Sequence, residues 1–305
     1  MAVNDLVHGN ECGLSLNAIE WLETHHNSKA KERGQMIRDL QLEPGSFVVD
    51  AGCGPGLWTP LLAKAIGPHG RILGVDISAQ ALVTAQQRSY GKSYHRQVQY
   101  KCALLEQLPL PPGTADMIFS ANVSQYLPEP VDTFSAMGRY LARGGRLVIK
   151  DIDFGTMRFH NIDTGLQARV LQARERWERE RVDEGFAFED SWVGSKLAEY
   201  LRTAGFEDIQ ERSYHIIRKY PLPAEFRFYL EGIAEWFVCE GAPLLDGQDI
   251  TNWLQCFLHD ACNVLDQETF VSEETEFVVS GVWNKRSVFA FPQVDMHAKL
   301  QAELI

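Results

Sequence analysis

Along the first half of the chain, short apolar runs alternate with stretches whose apolar residues recur at helical spacing. Phe47, Val48 and Val49 form the first run, which reads as a strand buried on both faces. Asp50 ends it and glycines follow at 52, 54 and 56. Leu57, Trp58, Leu61, Leu62 and Ile66 then mark a helix, with Pro60 in its first turn, where a missing N–H costs little. Strand, glycine turn and helix together bring backbone close to a ligand, with N–H groups free at the helix start. Residues 72–77 read as a second strand and 79–88 as the helix after it. Further strands are expected at 98–102, 115–120 and 146–150, with a helix at 131–141 closed by Arg143-Gly144-Gly145. Such alternation specifies a parallel sheet with right-handed crossovers.

The second half is less regular. Residues 194–205, with Leu197, Tyr200 and Leu201 on one stripe and Gly205 at the end, read as an amphipathic helix. A sixth strand is expected at 209–217, and 276–283 is apolar and β-rich. Ahead of the first strand, residues 14–40 read as two helices split near 24–28. A helix with Leu166, Val170, Ala173 and Trp177 on one stripe lies within 152–191. Aromatic residues crowd 226–258, Phe226, Tyr229, Trp236, Phe237, Trp253 and Phe257 among them. Ordinary core is the plain explanation for most of these rings.

The glycine spacing narrows the chemistry. A dinucleotide fingerprint requires Gly-x-Gly-x-x-Gly, but Leu57 stands where the last glycine belongs and Gly56 comes one residue early. No Gly-Lys-Ser/Thr completes this turn, so a P-loop there is excluded. The run Asp50-Ala51-Gly52-Cys53-Gly54-Pro55-Gly56 resembles motif I of the class I S-adenosylmethionine-dependent methyltransferases. Leu108-Pro109-Leu110-Pro111 followed by Ala115-Asp116-Met117-Ile118 is similar to a passage of the ubiquinone and menaquinone C-methyltransferases. The resemblance covers residues 47–150 well and 192–282 loosely. It implies a Rossmann-like α/β fold: a seven-stranded, mostly parallel sheet whose last strand is antiparallel, with helices on both faces. It also implies S-adenosyl-L-methionine as cofactor and S-adenosyl-L-homocysteine as product.

The matching positions carry expected roles. Asp50, Gly52, Cys53, Gly54 and Gly56 form the cofactor turn, with Cys53 a small packing residue. Asp76 is placed to accept from ribose hydroxyls, and Ile77 to lie on the adenine. Leu104 and Leu105 stand where the family often has an acidic residue for the adenine amino group, so here adenine meets apolar and backbone groups. Asn122 faces the methionine end. For Asp76 the alternative is a carboxylate at a helix start that needs no ligand.

This resemblance divides the chain as follows. Residues 1–46 are helices covering the cofactor, 47–151 the cofactor-binding core and 152–191 a first cap insertion. The core resumes at 192–219, 220–274 form a second cap insertion, and 275–305 are the last strand and tail. Connections leaving the fifth and sixth strands emerge at the carboxyl edge of the sheet, so both insertions are expected to form a helical cap over the reacting methyl. Methyl transfer from a sulfonium is an in-line displacement that aligns nucleophile, methyl and sulfur and excludes water. A hydroxyl or ammonium acceptor must also lose a proton, which invites a base. His160 comes first among the candidates because its ordinary pKa suits neutral pH; Asp151, Asp153, Tyr214 and His215 are the others.

Composition removes some partners. Residues 1–150 carry 14 Lys/Arg against 13 Asp/Glu, whereas 151–305 carry 15 against 28, giving the net −12 of the chain. Nucleic acid is therefore a poor substrate, since phosphate contacts need a basic face. Within 221–280 there are 12 acids and one base, Arg227, which suits a cationic acceptor if the acids are not simply solvated helix faces. Six cysteines, at 12, 53, 102, 239, 256 and 262, show no metal-ligand spacing; neither a signal peptide nor a membrane span is read. A cytoplasmic enzyme without a metal, acting on a small molecule, cationic or aromatic and of the kind found in secondary metabolism, is the expectation. The methylated atom (oxygen, nitrogen or carbon) and the oligomeric state stay open. The alternatives are a nicotinamide oxidoreductase on the same architecture, a non-catalytic S-adenosylmethionine-binding protein and a protein methyltransferase.

Overall fold

The structure, a computed structural model, describes residues 18–183, 189–259 and 263–284. Its sheet has strands β1 Phe47–Ala51, β2 Arg71–Asp76, β3 Val98–Cys102, β4 Ala115–Ala121, β5 Leu141–Phe159, β6 Glu207–Lys219 and β7 Val271–Val282, in the order β3-β2-β1-β4-β5-β7-β6. The first five run parallel, and β7 is antiparallel to both its neighbours. The Rossmann-like class expected from the sequence is the one found. Helices among the described residues are α1 Ile19–Ser28, α2 Ala30–Asp39, α3 Thr59–Ile66, α4 Ala79–Ser89, α5 Pro130–Gly138, α6 Thr164–Asp183, α7 Leu197–Ala204, α8 Ala224–Gly241 and α9 Gly247–Leu258.

Two cores flank the sheet because each central strand is apolar on both faces. Val48, Met117, Phe119 and Val148 pack under α2 and α3, against Met36, Ile37, Leu62 and Ile66. Val49, Ile118, Leu147 and Ile149 face the other way, against Phe134 and Met137 of α5 and Leu197 and Leu201 of α7. A third core builds the cap. Ile152, Phe154, Met157 and Phe159 extend from β5 into the aromatic side chains of α8 and α9, Trp236, Phe237, Trp253 and Phe257 among them. The plain explanation therefore accounts for most of those rings, although Phe228 is exposed.

Four boundaries differ from the sequence reading. α1 runs through Ser28 and the break falls at Lys29. α5 stops at Gly138, and Gly144 (φ 78°) serves a kink inside β5, where the pairing with β4 shifts between Ala115 and Met117. A left-handed glycine ends a helix or kinks a strand equally well, which explains the misreading. β5 continues to Phe159 and β7 begins at Val271, forming a ribbon that carries the sheet into the cap. The predicted helix start at 14–17 and the tail beyond 284 lie outside the described residues.

Candidate cofactor and active site

The turn after β1 is built from its own backbone. Gly52 and Cys53 donate their N–H groups to Val75 O at 2.7 and 3.0 Å, and Gly56 donates to Cys53 O at 2.9 Å. Gly54 donates to Asp76 Oδ2 at 2.8 Å. The N–H groups of these four residues are thus taken within the turn. Their partners are β2 and the turn itself, which fixes the shape before any ligand arrives. The glycines serve conformation and clearance instead. Gly52, Gly54 and Gly56 have φ of 72°, 50° and 74°. A Cβ on Gly52 would overlap Val123 Cγ2, and one on Gly56 would come within 3.1 Å of Ala85 and Tyr100. Above Gly54 there is open space, with nothing within 4 Å of a built Cβ. Cys53 is buried, and burial pushes its thiol well up, in keeping with a packing role.

Two carboxylates frame the turn. Asp50 is buried at the end of β1 and accepts from Thr59 Oγ1 at 3.0 Å. Burial raises its carboxyl to about 7, against the Thr59 hydrogen bond and helped by the charge of Asp76. Asp76 accepts from Gly54 N on one oxygen and from Ser78 N (2.8 Å) on the other. Burial raises its pKa, while the N–H groups of Ser78, Gly54 and Ile77 pull it down. A carboxylate has about four lone-pair sites, so these bonds do not exhaust its capacity to accept. Ser78 Oγ in turn caps α4 by accepting from Ala81 N. At the positions expected to meet adenine, Ile77 is half-buried and Leu104 is 51% exposed. Leu105 is packed in the core beside Leu73 and Val75, which leaves only its backbone for a ligand.

Asn122 follows β4 in a left-handed conformation (φ 58°), with Oδ1 accepting from Lys150 Nζ at 2.7 Å. Behind it lies a buried charge cluster that the sequence reading missed. Glu276 Oε1 lies 2.8 Å from Lys150 Nζ, 3.2 Å from Lys29 Nζ and 3.8 Å from Arg33. Lys29 also meets Glu274 Oε2 at 2.7 Å, and Tyr229 donates to that oxygen at 2.8 Å. Lys29, Lys150 and Glu276 are fully buried, and Arg33 lies over the Trp58 ring. Burial alone would raise the Glu276 carboxyl, but the three cations hold it well below the usual range. Burial, then Lys29 and Arg33, keep His25 neutral, and burial with Arg33 lowers His26 to about 3. The available signal was small: Glu274 and Glu276, two apart on one strand, must share one face.

The three candidate bases part company. Asp151 is buried at the sheet edge, its oxygens accepting from Ser124 N (3.0 Å) and Ile152 N (3.1 Å). Burial raises it to about 6, against the charge of Lys150 and those two hydrogen bonds. The Tyr126 hydroxyl is pushed well up by burial and by the neighbouring Glu189 and Asp151 carboxylates. Asp153 accepts from Gly155 N (2.9 Å) and Ser195 N (3.2 Å), tying β5 to the loop that opens α7. His160 lies just past the end of β5, nine residues beyond Asp151. There its side chain is 53% exposed and meets Glu273 at 2.8 Å, while His215 meets the other Glu273 oxygen at 3.0 Å. Tyr214 donates to Asp39 of α2. Of the three, Asp151 is fully buried and bonded to the loop beside the turn, whereas His160 is exposed and paired with Glu273.

Among the described residues no group of His, Cys, Asp or Glu could hold a metal, and no helix is long and apolar enough to cross a membrane. Residues 49–149 match the methyltransferase domain family. The demethylmenaquinone methyltransferase of Alkalihalophilus pseudofirmus is 25% identical over 65% of this chain and 84% of its own length. The trans-aconitate 2-methyltransferase of Azoarcus is 35% identical over 43% of this chain, which spans half (50%) of that relative. The solved structure of the Bacillus subtilis YcgJ protein superposes with a TM-score of 0.53 at 15% identity, covering 86% of this chain and all (100%) of that one, a likeness of fold. The local geometry fits the cofactor these families share. Open space above Gly54 admits a ligand, Asp76 has lone pairs for a diol, and Ile77 and Leu104 offer an apolar face. Over residues 49–149 the chain is thus similar to methyltransferases that act on small molecules.

Proposed function

We propose that this protein transfers the sulfonium methyl of S-adenosylmethionine to a small-molecule acceptor by in-line displacement. The observation that carries the reading is the bond from Gly54 N to Asp76 Oδ2, which joins the clearance above the turn to the carboxylate beside it. In this reading Asp76 holds the ribose, Ile77 and Leu104 bound the adenine, and Asn122 borders the amino-acid tail. The cofactor, when bound, supplies an electrophilic methyl group. The cap and the N-terminal helices exclude water from that methyl. Asp151 takes the proton of a hydroxyl or ammonium acceptor, its raised pKa leaving it ionised at neutral pH and basic enough to act.

The acidic excess of the second cap insertion is a weak guide to the acceptor. Glu231 and Asp266 pair with Arg227, Asp249 with Arg169, Glu273 with two histidines, and Glu274 and Glu276 with the buried cations. Much of that charge is therefore neutralised inside the fold, and the reading commits to a small molecule of either charge.

Calorimetry with S-adenosylhomocysteine, followed by transfer of labelled methyl into candidate acceptors, tests this. The wild type is expected to bind the product nucleoside. Asp76→Ala should weaken that binding by about 1–3 kcal/mol through loss of charge-assisted hydrogen bonds. A folded Asp76→Ala protein with unchanged affinity removes Asp76 from the site.

A further inference from the structure

The carboxamide of Asn122 has its orientation dictated by a neighbour. Asn122 Oδ1 lies 2.7 Å from Lys150 Nζ, and the Asn122 N–H donates to Lys150 O at 2.8 Å. An ammonium carries three donors and no acceptor, so only the oxygen of an amide can face it. The Asn122 NH2 group is thereby turned away from Lys150. Lys150 is itself locked, fully buried with Glu276 Oε1 at 2.8 Å, and Glu276 is braced in turn by Lys29. Asn122 is only half-buried, and the next residue, Val123, lies directly over the Cα of Gly52. The half-buried carboxamide thus sits one residue from the side chain that packs on the glycine turn, with its donors directed away from Lys150.

We propose that Lys150 is a positioning residue: it fixes Asn122 as a two-donor clamp for a carboxylate oxygen of the ligand seated on the turn. This rests on the reading above, in which that ligand is S-adenosylmethionine and the carboxylate is that of its amino-acid tail. Lys150 touches no ligand. Its ammonium acts through Asn122 alone, and the rest of the cluster (Glu276 and Glu274 of β7, Lys29 at the α1–α2 break, Arg33 of α2, Tyr229 of α8) holds that ammonium in place.

Calorimetry on the full chain with two ligands tests the proposal: S-adenosylhomocysteine, which has the tail, and 5′-methylthioadenosine, which lacks it. Asn122→Ala and Lys150→Met should each weaken S-adenosylhomocysteine about tenfold, the loss of one strong hydrogen-bonded contact. Neither should change the affinity for methylthioadenosine. The double variant should bind no more weakly than Asn122→Ala. Asn122→Asp keeps Lys150 paired and the melting temperature unchanged, yet loses the donors and so the tail. Additive losses, equal losses for both nucleosides, or an Asn122→Asp protein with wild-type affinity overturns the proposal. If Lys150→Met does not fold, the Asn122→Asp result decides by itself. Absence of S-adenosylhomocysteine binding in the wild type overturns the cofactor reading instead, and is seen before any variant is made.

Discussion

At the end of β1, Asp50 is buried with a single hydroxyl from Thr59 on one oxygen, and its carboxyl is raised to about 7. An acid with a folded pKa above its unfolded one stabilises the protein below the unfolded value, near 4, and loses that stabilisation as pH rises through 7. Asp50→Asn, which still accepts from Thr59, should raise the melting temperature at pH 8 and change it little near pH 4. The gain at pH 8 is on the order of a few kcal/mol. Equal effects at both pH values would show that the carboxyl is not raised. Asp151 has a kinetic signature instead. With a hydroxyl or ammonium acceptor, turnover should rise with pH through about 6 as the carboxylate ionises. Asp151→Asn should remove that limb and lower kcat by roughly 10²–10⁴-fold. Asp50 and Asp76 were legible in the sequence because each ends a strand at a fixed distance from the glycines. Lys29, Arg33 and Lys150 were not, since an isolated basic residue shows nothing of carboxylates more than a hundred positions away.

Among the elements, the turn from Gly52 to Gly56 is the most constrained. Gly52 combines a left-handed φ of 72° with a Cα pressed on Val123. Gly52→Ala should therefore reduce S-adenosylhomocysteine affinity more than tenfold and cost roughly 1–3 kcal/mol of stability for the backbone conformation and the clash. Adding Val123→Ala should recover part of the loss, because it relieves the clash and leaves only the backbone strain. No recovery would mean that contact with Val123 is not what excludes a side chain. Periodicity revealed the strands of the core because each is short and apolar on both faces. It failed for β5, whose polar residues Lys150, Asp151 and Asp153 look like the end of a strand. Those residues are instead partnered by β7, Ser124, Ser195 and Asn122, so the strand continues through them.

For the molecule as a whole, the buried cluster joins three parts: the N-terminal helices, the late ribbon strand and the cap. Removing one partner from such a group leaves opposite charges buried and unpaired. Glu276→Gln should accordingly destabilise the protein by about 3–5 kcal/mol. It should also lower the unfolding midpoint in denaturant, whereas Glu180→Gln, at an exposed helical pair, should leave it within about 0.5 kcal/mol. An equal effect of the two would show the cluster to be solvated.

The placement of β7 sets an order of assembly. On the ribosome β5 and β6 emerge first, yet they never touch one another directly, because the strand that separates them is made after both. Lys29 and Arg33 leave the exit tunnel well over two hundred residues ahead of the acids that receive them. A nascent chain stopped before Val271 thus has an open slot in its sheet and, on its leading helices, cations whose carboxylate partners have yet to be made. The seven-stranded sheet becomes whole only when β7 slides into place between β5 and β6.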